Sequence, residues 1–166
     1  MSKRDEPLSR ECRPCTACCD GWVQMTVNDV PLYPGKACPH STGRDCDDYA
    51  NRPHDPCVEI NCGWIMPDSP LPDWMKPNNA KVIVLFGKLR WRGLPVDVAV
   101  PVGKRIPPRA LNWLKDFSAN NGRPLLFSEQ VDPGKGFERE QMFSAHGPSE
   151  FQQDIAQLIA SGKALW

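Results

Sequence analysis

The chain has 166 residues, with 20 Lys and Arg balanced by 20 Asp and Glu, the length of one ordinary domain with a moderate core. Balanced charge supplies no overall field to draw nucleic acid or an anionic membrane, which disfavours a general nucleic-acid binder. Eighteen prolines, about twice the average usage of roughly 5%, disfavour long helices and with them a helical bundle.

Residues 1–11, "MSKRDEPLSRE", read as a polar tail without the apolar run of a secretory signal. No window approaches the roughly 20 apolar residues that cross a bilayer. The expectation is therefore a soluble, cytoplasmic protein with no membrane partner, in a compartment that keeps thiols reduced.

Residues 12–64 form a cysteine-rich region that contains all eight cysteines. Cys12, Cys15, Cys18 and Cys19 have the spacing C-x2-C-x2-C-C, and Cys38, Cys46, Cys57 and Cys62 follow after 18, 7, 10 and 4 intervening residues. The region is polar, rich in Pro and Asp, and nearly free of periodic apolar runs, so burial alone does not offset its conformational entropy. A C-x2-C step lets two thiolates converge on one ion while the backbone between them turns its amides toward the sulfurs, in zinc sites and iron-sulfur clusters alike. A bound cation or cluster removes the repulsion between thiolates and turns binding free energy into folding free energy. A disulfide framework is the competing expectation. It is opposed by the absence of an export signal and by the strained geometry of a bridge between adjacent Cys18 and Cys19. Two centres of four cysteines, or one centre with leftover structural cysteines, both remain open.

"CRPCTACC" resembles the signature of the bacterial CxxCxxCC cysteine-cluster proteins, a family described as zinc- or iron-chelating. The resemblance continues through Cys38, through Cys46 with Tyr49, through Arg52 and Pro53, and through Cys57, Cys62 and Trp64. It implies that the eight cysteines are metal ligands. The same domain is shared with flagellin lysine methylases, so the resemblance extends to a modifying enzyme in some members. One departure concerns the Arg-Pro pair, which in the family is followed by a cysteine after two residues and then by a basic residue. Here "HDP" intervenes and Val58 follows Cys57, which removes the basic position.

Four thiolates suit a closed tetrahedral zinc site and a 4Fe-4S cluster equally. The separated later cysteines resemble a knotted structural zinc site, whereas C-x2-C-x2-C opens a ferredoxin-type run. His40 and His54 lie in the region as alternative ligands, with a surface or outer position as the plainer expectation. Asp45, Asp47 and Asp48 read as solvated turn residues rather than a hard-metal site, and Tyr49 as packing on the Arg52–Pro53 turn.

Residues 65–166 read as an α+β scaffold packed against the cysteine-rich region. "WIMPDSPLPDWMKPNN" (64–79) joins the two halves, and its Trp and Met side chains are expected to pack one onto the other. "KVIVLFGKLRW" and "PVDVAVPV" read as antiparallel strands about an "RGLP" turn. Val96, Val98 and Val100 share one buried face, and Asp97 and Ala99 share the other. Ala110, Trp113, Leu114 and Phe117 have helical spacing after Pro107 and Pro108, and "ANNGRP" ends that helix. "PLLFSEQV" suggests a further strand, and "DPGKGFERE" a loop. Phe151, Ile155, Leu158 and Ile159 mark a last helix closed by Ser161 and Gly162. The fold expected is α+β, an irregular metal-binding region followed by a small antiparallel sheet with two helices. His146, in this half, reads as a solvent-facing or capping residue.

No G-x-G-x-x-G, HExxH, P-loop or Ser/His/Asp arrangement is present. The function expected is metal binding through zinc or an iron-sulfur cluster, in a structural or sensing role. The alternatives are a redox or protein-modifying enzyme using the centre near Cys19, His40 or Tyr49, and a zinc-ribbon-like interaction module.

Overall fold

The computed structural model describes residues 10, 15–18, 20–23, 25–32, 37–43, 46–52, 57, 62–130 and 141–162. Cys12, Cys19, Asp45, Pro53, His54 and the loop at 132–140 lie outside the described residues.

The second half builds a four-stranded sheet in the order β3-β4-β5-β6, from β3 (Val82–Trp91), β4 (Leu94–Pro101), β5 (Leu125–Gln130) and β6 (Gln141–His146). The turn between β3 and β4 is Arg92–Gly93, with both residues at positive φ (48° and 79°) and Trp91 opposite Leu94. This is the two-residue hairpin whose twist matches that of the strands, and glycine supplies the second left-handed position without strain. β3 and β4 are antiparallel, as are β5 and β6, whereas β4 and β5 run parallel. The parallel pair arises because helix α2 (Pro108–Asn121) carries the chain back across the sheet, as a crossover between parallel strands requires. The fold is thus α+β as expected. The sheet is mostly antiparallel, with one parallel pair and a fourth strand, β6, that the sequence pattern did not show.

Both faces of the sheet are covered, which corrects the expectation of a single buried face. Val96, Val98 and Val100 join Ile83, Leu85 and Leu126 under helix α3 (Ser149–Ala160), which contributes Phe151 and Ile155. On the opposite face Val82, Val84, Ala99 and Leu125 meet Ala110 and Leu114 of α2. Trp113 and Phe117 stack with ring centroids 5.3 Å apart at the border of that group. Leu158 and Ile159 remain exposed, so only the first part of the α3 stripe is buried.

The linker packs as its composition suggests. Trp64, Leu71 and Met75 are buried in the group under α2, and a one-turn helix, α1 (Pro77–Ala80), leads into β3. Arg10 is fastened to this linker. Its guanidinium donates to the carbonyls of Trp64 and Leu71 at 2.8 and 2.7 Å and to Asp73 Oδ1 at 3.0 Å. The one described residue of the expected polar tail is therefore docked.

Two features of the sheet were missed. β3 bulges between Leu85 and Leu89, which face Val98 and Val96. Gly87 stands in the bulge at φ 61° and donates its N–H to Asp97 Oδ1 at 2.8 Å. Asp97, 3% exposed, also accepts from Arg123 Nε at 2.8 Å and Nη2 at 2.7 Å. That bond raises Arg123 above its ordinary value. An isolated glycine inside a strand run and a single acid among valines were the available signals.

Candidate metal centre

The first half folds around short turns. Strands β1 (Met25–Val27) and β2 (Val30–Leu32) form a second small sheet, in which Asn28 and Asp29 at positive φ make the hairpin turn. Val27 and Leu32 are buried there with Cys38, and Val30 and Cys57 pack at the border. Cys38 and Cys46 are positioned by one loop. Ser41 N donates to Cys38 O at 2.9 Å, Ser41 pairs with Cys46 in an antiparallel bridge, and Asp47 N donates to His40 O at 2.9 Å. His40 Nδ1 donates to Asp47 Oδ1 at 2.8 Å, across the same loop.

Cys57 lies within electrostatic reach of both Cys38 and Cys46. Burial raises the Cys57 thiol above its ordinary value, negative charge on Cys38 or Cys46 raises it further, and the Arg52 guanidinium pulls it down. Arg52 is held by a short 3-10 turn, Tyr49–Asn51. Its Nη1 donates to Tyr49 O at 2.8 Å, and its guanidinium lies 3.7 Å from the centroid of the Tyr49 ring. Tyr49 thus packs on Arg52, as expected. Asp48 accepts from Asn51 Nδ2 at 2.9 Å, so Asp47 and Asp48 act as turn residues.

Cys15 and Cys18 belong to a different place, packing against the apolar group on the α3 side of the sheet. Their turn is closed by Asp20 N donating to Thr16 O at 2.8 Å and by Thr16 Oγ1 donating to Asp20 Oδ2 at 3.0 Å. Cys62 sits at the open edge of β3 in an antiparallel bridge with Leu85, and its side chain packs on the α2 side. Gly63, next in sequence, donates its N–H to Val84 O at 2.6 Å. A Cβ there would lie 2.7 Å from the Phe86 ring, so glycine is what lets the chain carrying Cys62 approach the strand. His146 is half-buried at the end of β6, opposite Leu125.

The six described cysteines are thiols rather than disulfides. Of the expected ligands, Cys38 and Cys57 pack on the same small apolar group and Cys46 lies across the loop from Cys38, whereas Cys15, Cys18 and Cys62 are placed on the sheet. Among the described residues, no three His, Cys, Asp or Glu side chains converge closely enough to hold a metal ion. Thiols are soft donors, the type that suits zinc or an iron-sulfur cluster. Among the described residues no helix is long and apolar enough to cross a membrane. No protein-family model, curated protein or solved structure matches the chain.

Proposed function

We propose that residues 12–62 bind a soft metal centre, zinc or an iron-sulfur cluster, through cysteine thiolates, and that the centre has a structural or sensing role. The observation that supports this is that Cys38 and Cys46 are held across one loop and both act electrostatically on Cys57, which packs with Cys38 on a small apolar group. Burial and neighbouring negative charge oppose ionisation of Cys57, and Arg52 favours it. A bound cation supplies the positive charge that lets all three sulfurs remain ionised. On this reading Cys38, Cys46 and Cys57 belong to one centre, and Cys15 and Cys18, on the sheet face, to a second. The bonds that close the 38–47 loop hold Cys38 and Cys46 at fixed spacing, and Arg52, held over Tyr49, keeps its charge beside Cys57.

Anaerobic purification followed by metal analysis and an absorbance spectrum tests the proposal. Broad visible absorption with iron and labile sulfide identifies a cluster, and a colourless protein with stoichiometric zinc identifies a zinc centre. A chain purified with neither, and taking up neither on reconstitution, overturns the proposal. Single Cys→Ser changes at Cys38, Cys46 and Cys57 are expected to lower metal content together, because each removes a sulfur from the same centre.

A further inference from the structure

Equal totals of basic and acidic residues conceal an uneven distribution. Residues 81–130 carry nine Lys and Arg against three Asp and Glu, a surplus that the rest of the chain offsets, and from Val98 to Lys115 there is no acid at all. The fold gathers part of this charge at one end of the sheet. Val82 pairs with Pro101 there, and Val102 N donates to Lys81 O at 2.9 Å, so Lys81 neighbours the loop between β4 and α2. Gln130 N donates to Lys104 O at 2.8 Å, which ties that loop to the end of β5. Helix α2 starts from the same loop, at Pro108. Lys81, Lys104, Arg105 and Arg109 are all exposed, and among the described residues none of the four has an ion pair.

Arg109 is oriented by an aromatic ring rather than by an acid. Its guanidinium lies 4.0 Å from the centroid of Trp74, a half-buried side chain of the linker. Of the acids on adjoining elements, Asp73 is bonded to Arg10 and Glu129 is half-buried on β5. The first turn of α2 contains no acidic residue, and Pro107 before it offers no side-chain cap, so the positive end of the helix dipole adds to the same field. None of the exposed large apolar side chains, Tyr49, Leu94, Met142, Leu158 and Ile159, lies on the linker, on this loop or on α2. The elements that carry the cations therefore lack the exposed apolar side chains that centre a protein interface or enter a membrane surface. Lys and Arg meet phosphates without any such surface, and a guanidinium stacked on tryptophan presents a flat cation to a nucleobase. We propose that this end of the molecule binds single-stranded nucleic acid, with Lys81, Lys104, Arg105 and Arg109 on phosphates and the Arg109–Trp74 stack beside a base. A local patch of this kind gives short-range, salt-dependent binding, which the balanced total charge does not oppose. The proposal is independent of what the cysteines hold.

The test is fluorescence anisotropy of a labelled oligodeoxythymidine titrated with the full chain as purified. At low salt the dissociation constant is expected at about 1–100 µM, and log K should fall against log[salt] with a slope of about −3, from roughly 0.7 per phosphate contact. Lys104→Gln combined with Arg105→Gln is expected to weaken binding about tenfold or more and to lower the slope in magnitude by about 1.4. Arg109→Lys keeps the charge but loses the flat stack, so it should weaken binding while leaving the slope unchanged. Lys88→Gln combined with Arg90→Gln removes the same charge from exposed positions of β3, roughly 25 Å along the strand from Lys81, and is expected to change neither quantity. A parent chain that does not bind the oligonucleotide at low salt overturns the proposal, as does an equal loss in the two paired variants. Displacement by polyglutamate as effective as by unlabelled oligonucleotide assigns the patch to an acidic protein segment and overturns the nucleic-acid reading. A duplex that competes better than the single strand overturns the choice of strand.

Discussion

In the sheet, Ile83, Val98, Leu126 and Phe151 are wholly buried against one another, and a second group of similar extent covers the other face. Among the described residues of the cysteine-rich region, Val27, Leu32 and Cys38 form a small apolar group with Val30 and Cys57 at its border, while Ala17, Val23 and Trp64 pack on the sheet. Burial contributes about 25 cal/mol per Å2 of apolar surface, so the sheet has a driving force of its own. The loop that carries Cys38 and Cys46 relies on main-chain bonds and on the His40–Asp47 contact. The binding free energy of a metal centre would therefore be decisive for the cysteine-rich region and incidental for the sheet.

The comparison breaks most severely if the sheet loses the ion pair of buried Asp97 with half-buried Arg123. Asp97→Ala strands the Arg123 guanidinium and the Gly87 N–H, and is expected to cost about 3–5 kcal/mol. Urea denaturation followed by tryptophan fluorescence measures it, and a loss below about 1 kcal/mol would mean that the sheet does not depend on this pair. Gly63→Ala addresses the junction. The added Cβ would meet the Phe86 ring at 2.7 Å and Val84 O at 2.8 Å, so the segment after Cys62 must shift from the edge of β3, at about 1–3 kcal/mol. Amide exchange at Gly63, whose N–H bonds Val84 O, should become faster in this variant. Unchanged protection would show that the strand edge accommodates a side chain.

Legibility followed the physics of each region. The β3–β4 hairpin, α2 and the buried part of α3 were visible because burial imposes a period on Val96, Val98, Val100, Ala110, Leu114, Phe151 and Ile155. β6 was not, since "QMFSAH" alternates weakly and its Met142 is 62% exposed. The parallel pairing of β4 and β5 is a property of the α2 crossover and of neither strand alone. The Asn28–Asp29 hairpin was hidden by its three-residue strands, although the turn pair itself was readable. At the candidate site, spacing identified the sulfurs. The grouping of Cys38 with Cys46 came from the Ser41–Cys46 bridge, a contact that residue spacing does not encode.

The smallest expected effect is a pH dependence confined to the cysteine-rich region. Burial, followed by negative charge on Cys38 and Cys46, raises the Cys57 thiol from its ordinary value of 9.0. In the unfolded chain the thiol is free of these influences and ionises first. The contribution of Cys57 to stability is therefore fully present below the ordinary value and is lost as pH rises through it toward the raised folded value. In the metal-free chain, the difference in unfolding free energy between the parent and Cys57→Ala should shrink as pH is taken from neutral to above about 9. A cation at the centre inverts the preference, because the bound sulfur is already ionised, so the alkaline loss should disappear in the loaded protein. A difference that stays constant with pH in the metal-free chain would separate Cys57 from Cys38 and Cys46, and with it the one group of sulfurs on which the contrast with the sheet depends.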